Sequence, residues 1–115
     1  MNISETQAGS ITIVAITGTL DASTTKELLK SPAISNPAQS VVMDLEHLDF
    51  LDSSGLGALI GTLRKKRERS AETLISCMND RVRRVFEITN AHRIFHIFDD
   101  TAAAVDYATQ LTARI

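Results

Sequence analysis

The residue types best suited to chemistry fall in one run, Asp52-Ser53-Ser54-Gly55-Leu56-Gly57, which follows a β-type apolar segment and a short acidic turn and opens an apolar helix. A helix start exposes backbone N–H groups without intrahelical partners and the positive end of the helix dipole, so a serine there sits where a phosphate is tolerated. A phosphoryl group on a serine of this pair would add a charge of about -1.5 to -2 beside Asp52, enough to repel a partner that had placed an apolar or acidic surface there. Gly55 and Gly57 put no side chain over the serine. Taken alone, Asp or Ser before an apolar helix is the ordinary pattern of an N-cap, and glycine near a helix start often only permits close packing. The two readings are compatible, since a capping serine can also be the one modified.

Enzymatic readings of the same residues fail on spacing. A nucleophile elbow needs glycine two residues before the serine, where Asp52 stands relative to Ser54, and no base is positioned beside it. The pattern Gly55-x-Gly57-x-x-x-Gly61 is a weak match to a dinucleotide loop, preceded by an acidic residue and lacking a strand-to-helix unit at the N-terminus. His47, His92 and His96 lack metal-ligand spacing with Cys77 or a carboxylate pair and read as surface or capping residues. Cys77, in a β-type apolar run, reads as a small buried hydrophobe. Neither a cofactor nor a metal is expected.

The elements that position the serines follow from periodicity. Ile11 to Gly18 is β-branched and bounded by Gly9-Ser10 and Gly18, which predicts a strand, with residues 3 to 7 as its hairpin partner. Ala22 to Leu29 predicts a first short helix, stopped by Ser31-Pro32, and 35–39 is a turn. Val41 to Leu45 is a nearly continuous apolar run, as in a strand covered on both faces. From Ser54, Leu56, Leu59, Ile60 and Leu63 fall on one helical face. The cations Arg64-Lys65-Lys66-Arg67 and Arg69 at its far end read as a solvated helix terminus complementing the dipole. No aromatic residues interleave with them and the formal net charge is -2, which argues against nucleic acid.

Thr73 to Met78 is a further strand. Asn79 or Asp80 caps a third helix carrying Val82, Val85, Phe86 and Thr89 and ending near Asn90. Ile94 to Phe98 is the last strand, and Asp99-Asp100-Thr101 opens a final helix with Ala104, Val105, Ala108 and Leu111 as its stripe. Alternating β and α elements joined by short connections predict a single α/β domain over 1–115, with a largely parallel sheet of about five strands, about four helices and the N-terminal strand antiparallel at an edge. A chain of 115 residues can bury about 65–70% of the surface its unfolded form would expose. A lone cysteine forms no internal disulfide, no N-terminal run has the make-up of a signal peptide, and no apolar segment reaches the ~20 residues needed to span a bilayer. A reduced cytoplasmic protein without membrane insertion is expected.

Gly18-Thr19-Leu20-Asp21-Ala22, the strand ending in Asp44-Leu45, Leu51-Asp52-Ser53-Ser54-Gly55-Leu56-Gly57, and Val82-Arg83-Arg84-Val85-Phe86-Glu87-Ile88-Thr89 together resemble the STAS domain of bacterial anti-sigma factor antagonists. The resemblance covers nearly the whole chain, and Thr19 departs from the Glu or Arg often found there. It implies a non-enzymatic switch protein whose unphosphorylated form binds an anti-sigma factor that is also a serine kinase, freeing a sigma factor. Phosphorylation releases the pair and a serine phosphatase resets it. Carried onto this chain, the resemblance makes Ser54 the phosphoacceptor, with Asp52, Ser53, Gly55, Leu56, Gly57 and Asp21 forming the partner surface. A STAS subunit of a membrane transport complex is the alternative within the fold, and an exposed serine pair beside acidic residues favours the switch; secretion control is another output that a partner switch can serve.

Overall fold

The computed structural model describes residues 1–112, and the last three positions of the expected domain lie outside it. Its elements in chain order are β1 (Asn2–Ala8), β2 (Ile11–Leu20), α1 (Thr25–Lys30), α2 (Pro32–Ser35), β3 (Val41–Asp44), β4 (Leu48–Leu51), α3 (Ser53–Glu68), β5 (Thr73–Ser76), α4 (Asp80–Ile88), β6 (His96–Phe98) and α5 (Thr101–Thr112), with a 3-10 turn at Ala91–Arg93. The α/β class and the mixed, mostly parallel sheet are as expected. The strand order is β1-β2-β3-β5-β6, with β1 antiparallel to β2 at the edge and the other pairs parallel.

The ten-residue β2 has two partners on successive stretches. Thr12 to Ala15 pair with β3, whereas Gly18 to Leu20 pair in parallel with β4 after an irregularity between Gly18 and Thr19. Gly18 makes that shift at φ +97, a conformation open to glycine, and its N–H reaches the His47 carbonyl at 3.0 Å. β4 is an extra strand beyond the five expected, because Leu48-Asp49-Phe50-Leu51 exposes its two middle residues and is only four residues long.

The main core lies between one sheet face and α1 to α4, and includes Val14, Ile16, Leu20, Val41 and Met43 against Leu28, Leu56, Leu59, Leu63 and Phe86. On the other face Ile11, Val42 and Leu74 pack against Ala104 and Ala108 of α5. The apolar run Val41 to Met43 is therefore covered on both sides, as its composition requires. Several local expectations are corrected. The segment 21–24 is a turn ahead of α1, and Pro32 opens the short helix α2 rather than only stopping α1, occupying the first turn where its missing N–H goes unneeded. Glu5 of β1 caps that helix, accepting from the Ala33 N–H at 2.9 Å and from the Ser31 hydroxyl. Residues 94 and 95 precede β6 instead of belonging to it.

Lys66 overturns the reading of a uniformly solvated helix end. Its neighbours Lys65 and Arg67 are exposed, but Lys66 is 0% exposed and donates to the carbonyls of Ala33 (2.7 Å), Asn36 (2.8 Å) and Gln39 (2.7 Å). Three donors meet three acceptors, and with no ion pair among the described residues the buried ammonium ties the 33–39 segment to α3. Burial pulls its pKa from 10.5 to about 8, with the charge of Glu5 acting in the opposite direction.

Candidate functional site

Leu20 and Leu51 are register partners at the carboxyl ends of β2 and β4, so Asp21 and Asp52 leave the sheet side by side. The Asp52 N–H donates to the Leu20 carbonyl at 3.3 Å, joining the two strand ends. Asp52 then caps α3: its extended backbone turns the chain, its Oδ1 accepts from the Gly55 N–H at 2.9 Å and its carbonyl accepts from the Leu56 N–H at 2.9 Å. The helix begins at Ser53, one residue earlier than expected, and the cap is the aspartate rather than a serine. Ser53 and Ser54 are thereby the first two helical residues, both exposed, and among the described residues neither backbone N–H has an acceptor.

No acidic residue lies in the first turn of α3 and three cations lie in its last, so the dipole at the serines is uncompensated by the helix itself. An anion on Ser54 meets free N–H groups and a positive helix end, while Asp52 is already engaged in its cap. The chemistry available is local acceptance of a phosphoryl group with a large change in surface charge. Both serines are exposed, and the choice of Ser54 comes from the resemblance.

Gly55 and Leu56 are buried and Gly57 is exposed. A Cβ on Gly55 would collide with the Leu20 carbonyl and stand 2.8 Å from Leu51 Cδ1, so this glycine lets α3 settle against the two strand ends; a Cβ on Gly57 would meet nothing within 4 Å. Of the expected surface, Ser53, Ser54 and Gly57 are exposed and Asp21 and Asp52 half-buried, with Gly55 and Leu56 positioning them from beneath.

Asp21 organises its own turn. Its Oδ1 accepts from the Ser23 hydroxyl at 2.6 Å and the Ser23 N–H at 2.9 Å, while its N–H donates to Thr24 Oγ1 at 2.9 Å. The Ser23 hydroxyl, then the Ser23 N–H, hold the carboxyl below the usual carboxylate range. Asp21 is therefore an anion at neutral pH on the same rim as the serines.

Phe50, 53% exposed on β4 two residues before Asp52, is an apolar neighbour of the site that the sequence reading passed over. The acidic turn before it hid the strand that presents it. Cys77 is half-buried at φ +60 rather than inside a strand, and Asp44, Glu46 and Cys77 place one ligand atom each within 4.8 Å of one another. Asp44 Oδ1 accepts from the Glu46 N–H at 3.0 Å and Cys77 Sγ contacts Thr101 Oγ1 at 3.5 Å. His47, His92 and His96 are exposed, and His92 Nδ1 lies 3.2 Å from the Phe86 carbonyl. No helix among the described residues is long and apolar enough to cross a membrane.

Comparison with known proteins places this geometry in a family. The STAS domain model matches residues 2–104, and the chain belongs to the STAS domain family. It is 31% identical over 103 residues to the anti-sigma-B factor antagonist of Staphylococcus aureus strain NCTC 8325, covering 88% of this chain and 95% of that one. Among solved structures, a putative anti-sigma factor antagonist from Thermotoga maritima superposes with a TM-score of 0.84 at 18% identity, over 93% of this chain and 94% of that one. The Bacillus cell fate determinant SpoIIAA in its phosphorylated form superposes with a TM-score of 0.70 at 21% identity, over 92% and 98%. These superpositions speak to the fold, and their sequences are too distant to carry more.

Proposed function

We propose that this chain is an anti-sigma factor antagonist that works by partner switching in the cytoplasm: a regulatory binding protein, not an enzyme. Unphosphorylated, it binds an anti-sigma factor with serine kinase activity and so frees a sigma factor. The kinase transfers a phosphoryl group from ATP to Ser54, the complex separates, and a serine phosphatase restores the binding form. Asp21, Asp52, Ser53 and Gly57 form the contact surface with Ser54, and Gly55 and Leu56 set its shape.

The observation that carries this reading is Ser54 itself, exposed in the first turn of α3 beside free N–H groups and on the rim shared by Asp52 and Asp21. Phosphate there is accepted locally, so the domain stays folded while the contact surface gains negative charge. A loss of ~2–4 kcal/mol in binding corresponds to a factor of about thirty to several hundred in affinity, enough to switch partners.

Incubation with the cognate kinase and ATP, followed by intact mass and peptide mapping, tests the assignment. A single phosphoryl group on Ser54, absent from Ser54→Ala and retained in Ser53→Ala, is expected. Modification that maps to Ser53 or persists in Ser54→Ala would refute it.

A further inference from the structure

A groove of about 430 Å³ runs between α3 and the α1–α2 segment, lined by Leu29, Ile34 and Pro37 on one wall and Gly57, Ala58 and Gly61 on the other, with Lys65 at its far end. It opens one helical turn from Ser54, and Lys65 lies about 16 Å from Ser54 along the axis at 1.5 Å per residue. We propose that this groove receives an amphipathic segment of the anti-sigma factor that meets Ser54, with apolar side chains against Leu29 and the two glycines and an acidic side chain at Lys65; this rests on the partner-switch reading above.

Four observations converge on that occupant. Gly57 and Gly61 lie within a sixteen-residue helix, where glycine is the poorest helix former after proline. A Cβ at either would meet nothing within 4 Å, so no packing inside the chain accounts for them, in contrast to Gly55. Leu29 leaves 44% of its surface exposed on the opposite wall. Lys65 is the sole charged residue lining the groove and makes no ion pair among the described residues, which suits an acidic group on the occupant.

The groove is also continuous with the serine surface through Gly57, so one partner segment can cover both, in the manner of a helix laid into an apolar groove. Its wall is held in place: Lys66 grips the carbonyls of Ala33, Asn36 and Gln39 from beneath, fixing the segment that carries Ile34 and Pro37. A preformed groove spares the partner the ordering of loose loops on binding. Phosphoserine at the Gly57 mouth would then place negative charge against the entering segment at the end opposite its acidic contact with Lys65.

The test titrates purified serine-kinase anti-sigma factors of the host, each in turn, against the unphosphorylated wild-type chain, and carries those that bind forward to variants. Gly61→Leu fills the groove from α3, Leu29→Glu spoils its opposite wall from an exposed position, and Gly61→Ala is the control that leaves room. Gly61→Leu and Leu29→Glu should each weaken binding at least tenfold with unchanged circular dichroism, and Gly61→Ala should bind as wild type. Wild-type affinity in Leu29→Glu and in folded Gly61→Leu would overturn the groove and leave the partner-switch reading standing. Absence of any binding to the wild-type chain would overturn both. Self-association of the wild-type chain that Gly61→Leu abolishes would assign the groove to a second copy and overturn the proposal.

Discussion

The backbone carbonyl of Leu20 accepts the N–H of Asp52 at 3.3 Å, and this bond brings the end of β2 against the start of α3. The same carbonyl lies where a Cβ on Gly55 would have to go. The cap, the glycine and the two strand ends thus form one joint, and the serines ride on it.

Gly55→Ala should lower stability by about 1–3 kcal/mol, because its methyl group meets backbone that cannot swing aside. Gly57→Ala, with open space at its Cβ, should be neutral or gain up to about 1 kcal/mol from helix propensity. Denaturant unfolding of the pair checks this. Equal effects at the two positions would show that the joint is looser than its contacts imply.

For Asp21, capping and partner contact are separable by choice of variant. Asp21→Asn keeps an acceptor for Ser23 but removes the charge, so it should melt close to wild type while binding the anti-sigma factor more weakly. Asp21→Ala removes both and should lower the melting temperature as well. Full binding by Asp21→Asn would take the Asp21 charge out of the interface and leave it the organiser of its turn.

Lys66→Met strands three carbonyls that now share one ammonium, and should cost about 2–4 kcal/mol of stability. The folded-state pKa, about 8, lies below the 10.5 of an unperturbed lysine, so the folded chain gives up this proton first. Between those pH values the unfolded chain binds more protons, and the contribution of Lys66 to stability rises with pH. The stability difference between wild type and Lys66→Met should therefore widen from about pH 8 to 10.5. A difference that shrinks over that range would contradict the burial of a strained charge.

Much of this molecule is legible from pattern. Leu56, Leu59, Ile60 and Leu63 declare their helix by a period that serves one face, while the β-branched run Ile11 to Gly18 and the continuous apolar run Val41 to Leu45 declare strands. What escapes is nonlocal. The helix that Pro32 begins is capped by Glu5, far away in sequence, and the buried Lys66 is satisfied by three carbonyls of the 33–39 segment. In the site, Asp52-Ser53-Ser54 announces a helix start, yet whether aspartate or serine makes the cap is settled by which oxygen reaches the Gly55 N–H. β4 is a four-residue strand with two exposed positions, a pattern close to that of a loop, so Phe50 went unplaced with it.

Ser54→Asp should keep the fold, since a carboxylate near a helix N-terminus is favourable, and should weaken the anti-sigma factor complex in the same direction as phosphate but by less, having about half its charge. Circular dichroism and calorimetry on one sample check both halves. Unchanged affinity in a folded Ser54→Asp would sink release by charge.

The most direct measurement is calorimetric titration of the cognate anti-sigma factor into the wild-type chain before and after stoichiometric phosphorylation of Ser54. Tight binding before, and an affinity at least about thirtyfold lower after, is the predicted result, corresponding to ~2 kcal/mol or more. Equal affinity of the two forms would contradict the switch.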